Sequence, residues 1–130
     1  MDAKLLLAQM RRNREQSVDL GDGKSVTFRR PPEAEMNALL QSEPGSDKVT
    51  FSVDVEHVRK YVVGWKGFTE ADLLGETVGS DTPVDFDRDL WDEMCSDRVV
   101  WVTKVARAIL DSVVLFINSR ADAAKNSEPG

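Results

Sequence analysis

From the N-terminus, apolar positions first recur at helical spacing. Ala3, Leu6, Leu7 and Met10 share one face over residues 2–14. Asp2 stands where a cap belongs, and Arg11, Arg12 and Arg14 put positive charge near the C-terminal end, where it suits the helix dipole. Over residues 17–29 the period drops to two. Val18 and Leu20 alternate with polar neighbours, Gly21-Asp22-Gly23 supplies turn chemistry, and Val26 and Phe28 alternate again, which predicts a β-hairpin. A lone hairpin is marginal in water, so its apolar face is expected to rest on helices. Pro31-Pro32 ends the second strand and opens a helix whose buried face is marked by Met36, Leu39 and Leu40. Ser42 to Asp47 reads as a loop.

Residues 49–55 carry two periods at once. Val49, Phe51, Val53 and Val55 alternate like a strand, whereas Val55, Val58, Tyr61 and Val62 run like a helix. The favoured reading is a helix from about Asp54 to Val63 with an extended lead-in, stopped by Gly64. Thr69 can cap a short helical turn through Leu74, and Gly75 to Pro83 is loop. Asp85 is expected to cap the next helix, with Phe86, Leu90 and Met94 four residues apart. The last helix spans about Asp97 to Ala121. Its apolar arc includes Val99, Val102, Ala106, Ile109, Val113, Phe116 and Ile117 and is broadened by Val100, Trp101, Val105, Val114 and Leu115. So broad an arc needs cover, either from several elements of the same domain or from a partner subunit. The predicted fold is mainly α: a single-domain helical assembly over residues 1–121 with one small N-terminal hairpin at about 17–29. Residues 122–130 are expected to form a flexible C-terminal tail. No internal repeat or low-complexity tract interrupts this pattern.

Composition narrows the function classes. A chain of 130 residues favours one domain with a core of its own. The single cysteine, Cys95, excludes an internal disulfide. The N-terminal apolar run is short and its basic cluster follows it, the wrong polarity for a signal peptide, and no window reaches the length of a spanning helix, so a cytoplasmic location is expected. A net charge of −6 argues against nonspecific nucleic-acid or anionic-membrane binding. The charge is uneven: residues 1–30 hold seven Lys/Arg against four Asp/Glu, and residues 68–97 hold ten Asp/Glu against one Arg. That asymmetry can steer a partner or simply solvate a face.

Candidate chemistry is sparse. His57, the only histidine, stands between Glu56 and Arg59 like an ordinary helix-surface residue. Cys95 reads as half-buried filler. One His and one Cys exclude the usual zinc site within a single chain. Asp85-Phe86-Asp87-Arg88-Asp89 has the spacing that opens a calcium loop, but Leu90 stands where glycine is needed and Ser96 where the bidentate Glu belongs. The glycines form neither a dinucleotide fingerprint nor a P-loop. No catalytic, cofactor or metal residue is therefore assigned, and a noncatalytic protein is expected. What remains is binding. Val62-Val63-Gly64-Trp65-Lys66-Gly67-Phe68 puts two aromatic residues in a glycine-broken stretch. They either fold back to close the core or form an apolar patch for a protein partner. The candidate partner-binding residues are Trp65, Phe68, Leu73 and Leu74, with Trp91 on the following helix.

The order Val62-Val63-Gly64-Trp65-Lys66-Gly67-Phe68, then Asp81-Thr82-Pro83-Val84-Asp85-Phe86-Asp87, then a helix, resembles the tail assembly chaperones of lambda-like, long-tailed bacteriophages (siphophages). Lys24-Ser25-Val26-Thr27-Phe28-Arg29-Arg30-Pro31 before a Glu-rich helix is similar too, and the resemblance covers roughly residues 17–120. It implies a noncatalytic chaperone of viral tail assembly that binds and solubilises the tape measure protein and helps recruit the major tail tube protein. Such a protein acts in the host cytoplasm and is absent from the mature virion. It also implies a longer form made by programmed frameshift as a further partner; a second copy of the chain is a candidate partner on the ground of the broad apolar arc of the last helix alone. Ala124-Lys125-Asn126 permits the slippery sequence A AAA AAC. The competing expectation is a small acidic regulator or inhibitor that covers a basic protein surface as a nucleic-acid mimic, using the acids of residues 70–97.

Overall fold

The first helix and the hairpin form where the apolar pattern places them. A computed structural model describes residues 1–42 and 44–127. Helix α1 is Ala3–Arg12; the Leu5 N–H donates to Asp2 Oδ1 at 2.8 Å, and Arg11 and Arg12 fill the last turn. Strands β1 (Glu15–Gly21) and β2 (Lys24–Arg29) pair antiparallel with Val18 opposite Val26. Their two-residue turn takes positive φ at Asp22 and Gly23, the conformation that tight hairpins require, and Gly21 at the end of β1 is positive too.

The expectation of a mainly α fold is corrected by two sheets. The chain is about 52% helix and 21% strand, a mixed α/β fold. After Pro31-Pro32 the chain forms a 3₁₀ segment, Glu33–Leu39, where an α-helix was expected. Strands β3 (Leu40–Ser42) and β4 (Val49–Phe51) then pair as a second, two-stranded sheet. Glu43, within the expected loop, lies outside the described residues. Helix α2 is Val55–Tyr61, with Asp54 and His57 bonding reciprocally: Asp54 N–H donates to His57 Nδ1 at 3.1 Å and His57 N–H to Asp54 Oδ1 at 3.2 Å.

The largest correction follows. The helix does not run on to Gly64; it ends at Tyr61 and the chain passes directly into strand β5 (Val62–Lys66), the third strand of the sheet in the order β1-β2-β5. The pairing steps from Thr27 opposite Gly64 to Phe28 opposite Val62, so Val63 is bulged. A bulge shifts the alternation by one. Val62 and Trp65, three residues apart, therefore both enter the core, which a strict period of two does not anticipate.

The helices after α1 build the core with this sheet. Short helix α3 is Glu70–Leu74, and Thr69 donates to Asp72 Oδ2 from its backbone N–H (2.7 Å) and its hydroxyl (3.0 Å). The loop from Gly75 folds back over α3: Glu70 N–H donates to Thr82 O and Ala71 N–H to Ser80 O. Helix α4 is Arg88–Cys95, capped by Asp87 instead of Asp85, with Leu90 N–H donating to Asp87 Oδ1 at 3.0 Å. The Arg88 guanidinium donates to the carbonyls of Arg59 and Val62 and so caps the end of α2. Helix α5, Val99–Ser127, has 29 residues and a length of about 43 Å. It continues through residues 122–127, into the stretch expected as tail and past Ala124-Lys125; residues 128–130 lie outside the described residues.

The core joins Leu20, Val26 and Phe28 of the hairpin, Val58, Val62 and Phe68, Trp91 and Met94 of α4, and Val105 and Ile109 of α5. A smaller cluster of Met36, Leu39 and Val113 lies further along α5. The broad arc of α5 is thus covered by its own chain at Val105, Ile109 and Val113, while Val114 and Leu115 stay exposed.

Candidate functional site

The aromatic residues of the Val62–Phe68 stretch close the core. Trp65 is only 9% exposed, and its Nε1–H donates to Val84 O at 2.7 Å. Its ring lies 4.7 Å from Phe68, 5.1 Å from Phe86 and 6.4 Å from Trp91, centroid to centroid. Phe68 and Trp91 are fully buried, and Trp91 Nε1–H donates to Val58 O at 3.3 Å. Trp65, Phe68 and Trp91 are brought together as one cluster, but inside the protein, where no partner reaches them in this conformation. Of the five candidate residues only Leu74 is freely exposed, while Leu73 packs against the core edge.

The approach of Gly67 to the hairpin explains why this stretch carries glycine. Gly67 has φ +81°, and a Cβ there would lie 2.2 Å from Gly23 O. The β5–α3 connection and the β1–β2 turn are therefore in backbone contact. Lys24 and Asp72 reinforce the contact through an ion pair of 3.1 Å whose side chains are mostly buried. Burial pushes the Asp72 carboxyl up, but the Thr69 N–H, the Lys24 ammonium and the Thr69 hydroxyl outweigh it and hold it below the ordinary carboxylate value.

Several acids of residues 70–97 have local tasks of this kind. Asp72 pairs with Lys24, Asp87 caps α4, and Glu70 accepts from the Ser80 hydroxyl at 2.7 Å. Glu76, Asp81, Asp85, Asp89, Glu93 and Asp97 remain exposed. Among the described residues no group of three or more His, Cys, Asp and Glu is placed to hold a metal ion, and no helix is long and apolar enough to cross a membrane. Cys95 is buried, which raises its thiol to about 11.

The exposed apolar surface lies elsewhere. Helix α1 buries none of its residues: Leu5, Leu6, Leu7 and Met10 are 56%, 47%, 45% and 60% exposed. An isolated helix of ten residues is marginal in water, and an amphipathic one gains its stability by covering its apolar stripe. A second patch sits at the start of α5. Val99 and Val100 are 74% and 68% exposed, beside Trp101, and line a cleft of about 260 Å³ with Asp97 and Arg98. Arg98 donates to Asp72 O at 3.0 Å, and Trp101 meets Phe68 at 5.4 Å, which sets this patch against the α3 region that carries Leu73 and Leu74. The signal for both patches was present as an apolar stripe. Periodicity shows which face is apolar and not whether anything covers it.

Set against family models, curated proteins and solved structures, the chain finds no match. The arrangement of the exposed surface therefore carries the functional reading.

Proposed function

We propose that this protein is a noncatalytic binding factor that shields apolar surface on another polypeptide. On the resemblance of its Val62–Phe68 and Asp81–Asp87 segments to tail assembly chaperones, we further propose that it serves phage tail assembly in the host cytoplasm. Its client there would be the tape measure protein, with the major tail tube protein as a second partner. The observation that carries the reading is the uncovered face of α1, with four large apolar side chains in water on a helix that contributes nothing to the core. A contiguous exposed patch of this kind marks a protein contact more often than a free surface. The place of contact is therefore α1, with Leu74, Val99 and Val100 as a second surface, instead of Trp65, Phe68 and Trp91.

The experiment is co-expression with a phage tape measure protein as the trial client. Leu6→Asp and Met10→Asp are expected to cut the soluble fraction of the client while leaving the fold intact, since exposed changes cost within about 0.5 kcal/mol. Client solubility unchanged in both variants would overturn the proposal. A gene sequence reading A AAA AAC across Ala124–Asn126 would support the longer, frameshifted form. The acidic-mimic reading draws on the eight exposed acids of residues 70–97, Glu70 and Asp87 included. It differs in one measurable respect: its binding falls steeply as salt rises, whereas an apolar contact persists.

A further inference from the structure

Three of the seven basic residues of positions 1–30 converge with Lys60 on one cleft. It has a volume of about 170 Å³ and lies where the end of α1, the end of β2 and the end of α2 meet. Arg14, Arg29, Arg30 and Lys60 line it, against one lining carboxylate, Glu35. This is an island of positive charge in a chain of net charge −6. The rim cations already hold carboxylates of this chain: Arg29 Nε–H donates to Glu15 at 3.2 Å, and Lys60 pairs with Glu35. The deeper ones are not so matched. Arg14 Nε is buried with no hydrogen-bond partner. The Arg30 guanidinium lies 3.9 Å over the Phe116 ring and donates to Pro31 O at 2.9 Å. Burial and the neighbouring Arg14 and Arg120 cations, partly offset by Glu33, hold Arg30 below its ordinary value. A buried guanidinium N–H without a partner is costly, and like charges so close add to the cost. An anion entering the cleft relieves both.

We propose that this cleft is a receptor for an acidic side chain, Glu or Asp, presented by a partner polypeptide. Two features select a carboxylate on a short aliphatic stem. Tyr61, Val63 and Pro32 provide an apolar wall for methylene groups. The cations at the mouth are already in carboxylate pairs, and a guanidinium fork takes a further carboxylate in the same planar manner. Arg14 lies two residues beyond the end of α1, so an acid seated here would sit at the C-terminal end of the helix that carries Leu6 and Met10. A partner helix with an apolar face and an acidic residue near one end would engage both. The inference deepens the protein-binding reading and rests on it.

The test follows the arginine Nε–Hε cross-peaks in ¹⁵N–¹H spectra of the full chain while a capped hexaglutamate peptide, or inorganic phosphate, is added. The expected result is a saturable movement of the Arg14 and Arg30 peaks with the peptide. Arg14→Gln should weaken the peptide by roughly ten-fold, and Lys104→Gln, on the exposed side of α5, should leave it unchanged. Should Arg14→Gln fail to fold, Lys60→Met carries the test in the same direction, because the Lys60 side chain is 59% exposed and its loss leaves the core intact. Peaks that move with phosphate but not with the peptide, or with neither, would overturn the proposal, as would a variant that binds the peptide like the wild type. The titration uses no client, so its result and that of the Leu6→Asp client assay are read separately.

Discussion

Replacing Gly67 by alanine tests the contact that closes this fold. Two costs add at that position. The φ of +81° lies in the left-handed region, where a side chain costs about 1–2 kcal/mol. The new Cβ would also stand 2.2 Å from Gly23 O, 3.0 Å from Gly23 C and 3.3 Å from Lys24 Cα. All three are backbone atoms of the hairpin turn and its first residue, so no flexible side chain can swing aside. Overpacking of this kind costs about 1–3 kcal/mol. The sum is about 2–5 kcal/mol, a large share of the stability of an ordinary domain. Gly21→Ala is the matched control. Its φ is +90°, yet nothing lies within 4 Å of the added Cβ, so only the backbone cost applies. At about 4 °C per kcal/mol for a chain of this size, Gly67→Ala should lower Tm by about 8–20 °C and Gly21→Ala by about 4–8 °C. Urea titrations of both, read at unchanged m, would give the free energies directly. Equal losses in the two variants would refute the reasoning, because they would mean that the β1–β2 turn and the β5–α3 connection do not touch.

Three further outcomes follow from single contacts. Trp65→Phe keeps one aromatic ring but removes the rest of the indole from the core and leaves Val84 O without its 2.7 Å partner, so it should cost at least about 1–3 kcal/mol in chemical denaturation. The Asp72 carboxyl is held below its ordinary value of 3.8, so its contribution is fully present above that pH and is lost as the pH falls through the lower folded value; Asp72→Asn should flatten that acid limb in Tm measured against pH. Burial raises the Cys95 thiol to about 11, so it should resist alkylation at pH 8 in the folded protein and react at once in urea; fast labelling of the native state would contradict its placement.

Local signals written in a few adjacent residues were readable in the sequence. Asp2 before α1, the Gly21-Asp22-Gly23 turn and Thr69 before α3 each act through contacts within a few positions, and each lies where the pattern puts it. Strand β5 was not readable, because its alternation is broken by the Val63 bulge and because it follows α2 with no intervening turn. Leu40 shows the same limit: its spacing from Met36 suggests a buried helical position, yet it starts β3 and is exposed. The burial of Trp65, Phe68 and Trp91 was hidden for a different reason. Whether Trp65 and Phe68 face solvent depends on Phe86, Trp91 and Trp101, which lie 18 to 36 residues further along and whose return over the sheet no local pattern encodes. The α1 stripe was legible as amphipathic, but its lack of cover is a property of the whole molecule.

The aromatic cluster has an optical consequence. All three tryptophans, Trp65, Trp91 and Trp101, are linked through Phe68 and one another at ring separations of 4.7 to 6.4 Å. Helix α1 carries no fluorophore of this kind. Ultraviolet emission of the native chain thus monitors the sheet and the first turns of α5 and is blind to events at Leu6 or Met10. A tryptophan introduced at an exposed α1 position would add a separate colour shift for docking, against a background that changes only when the interior itself comes apart.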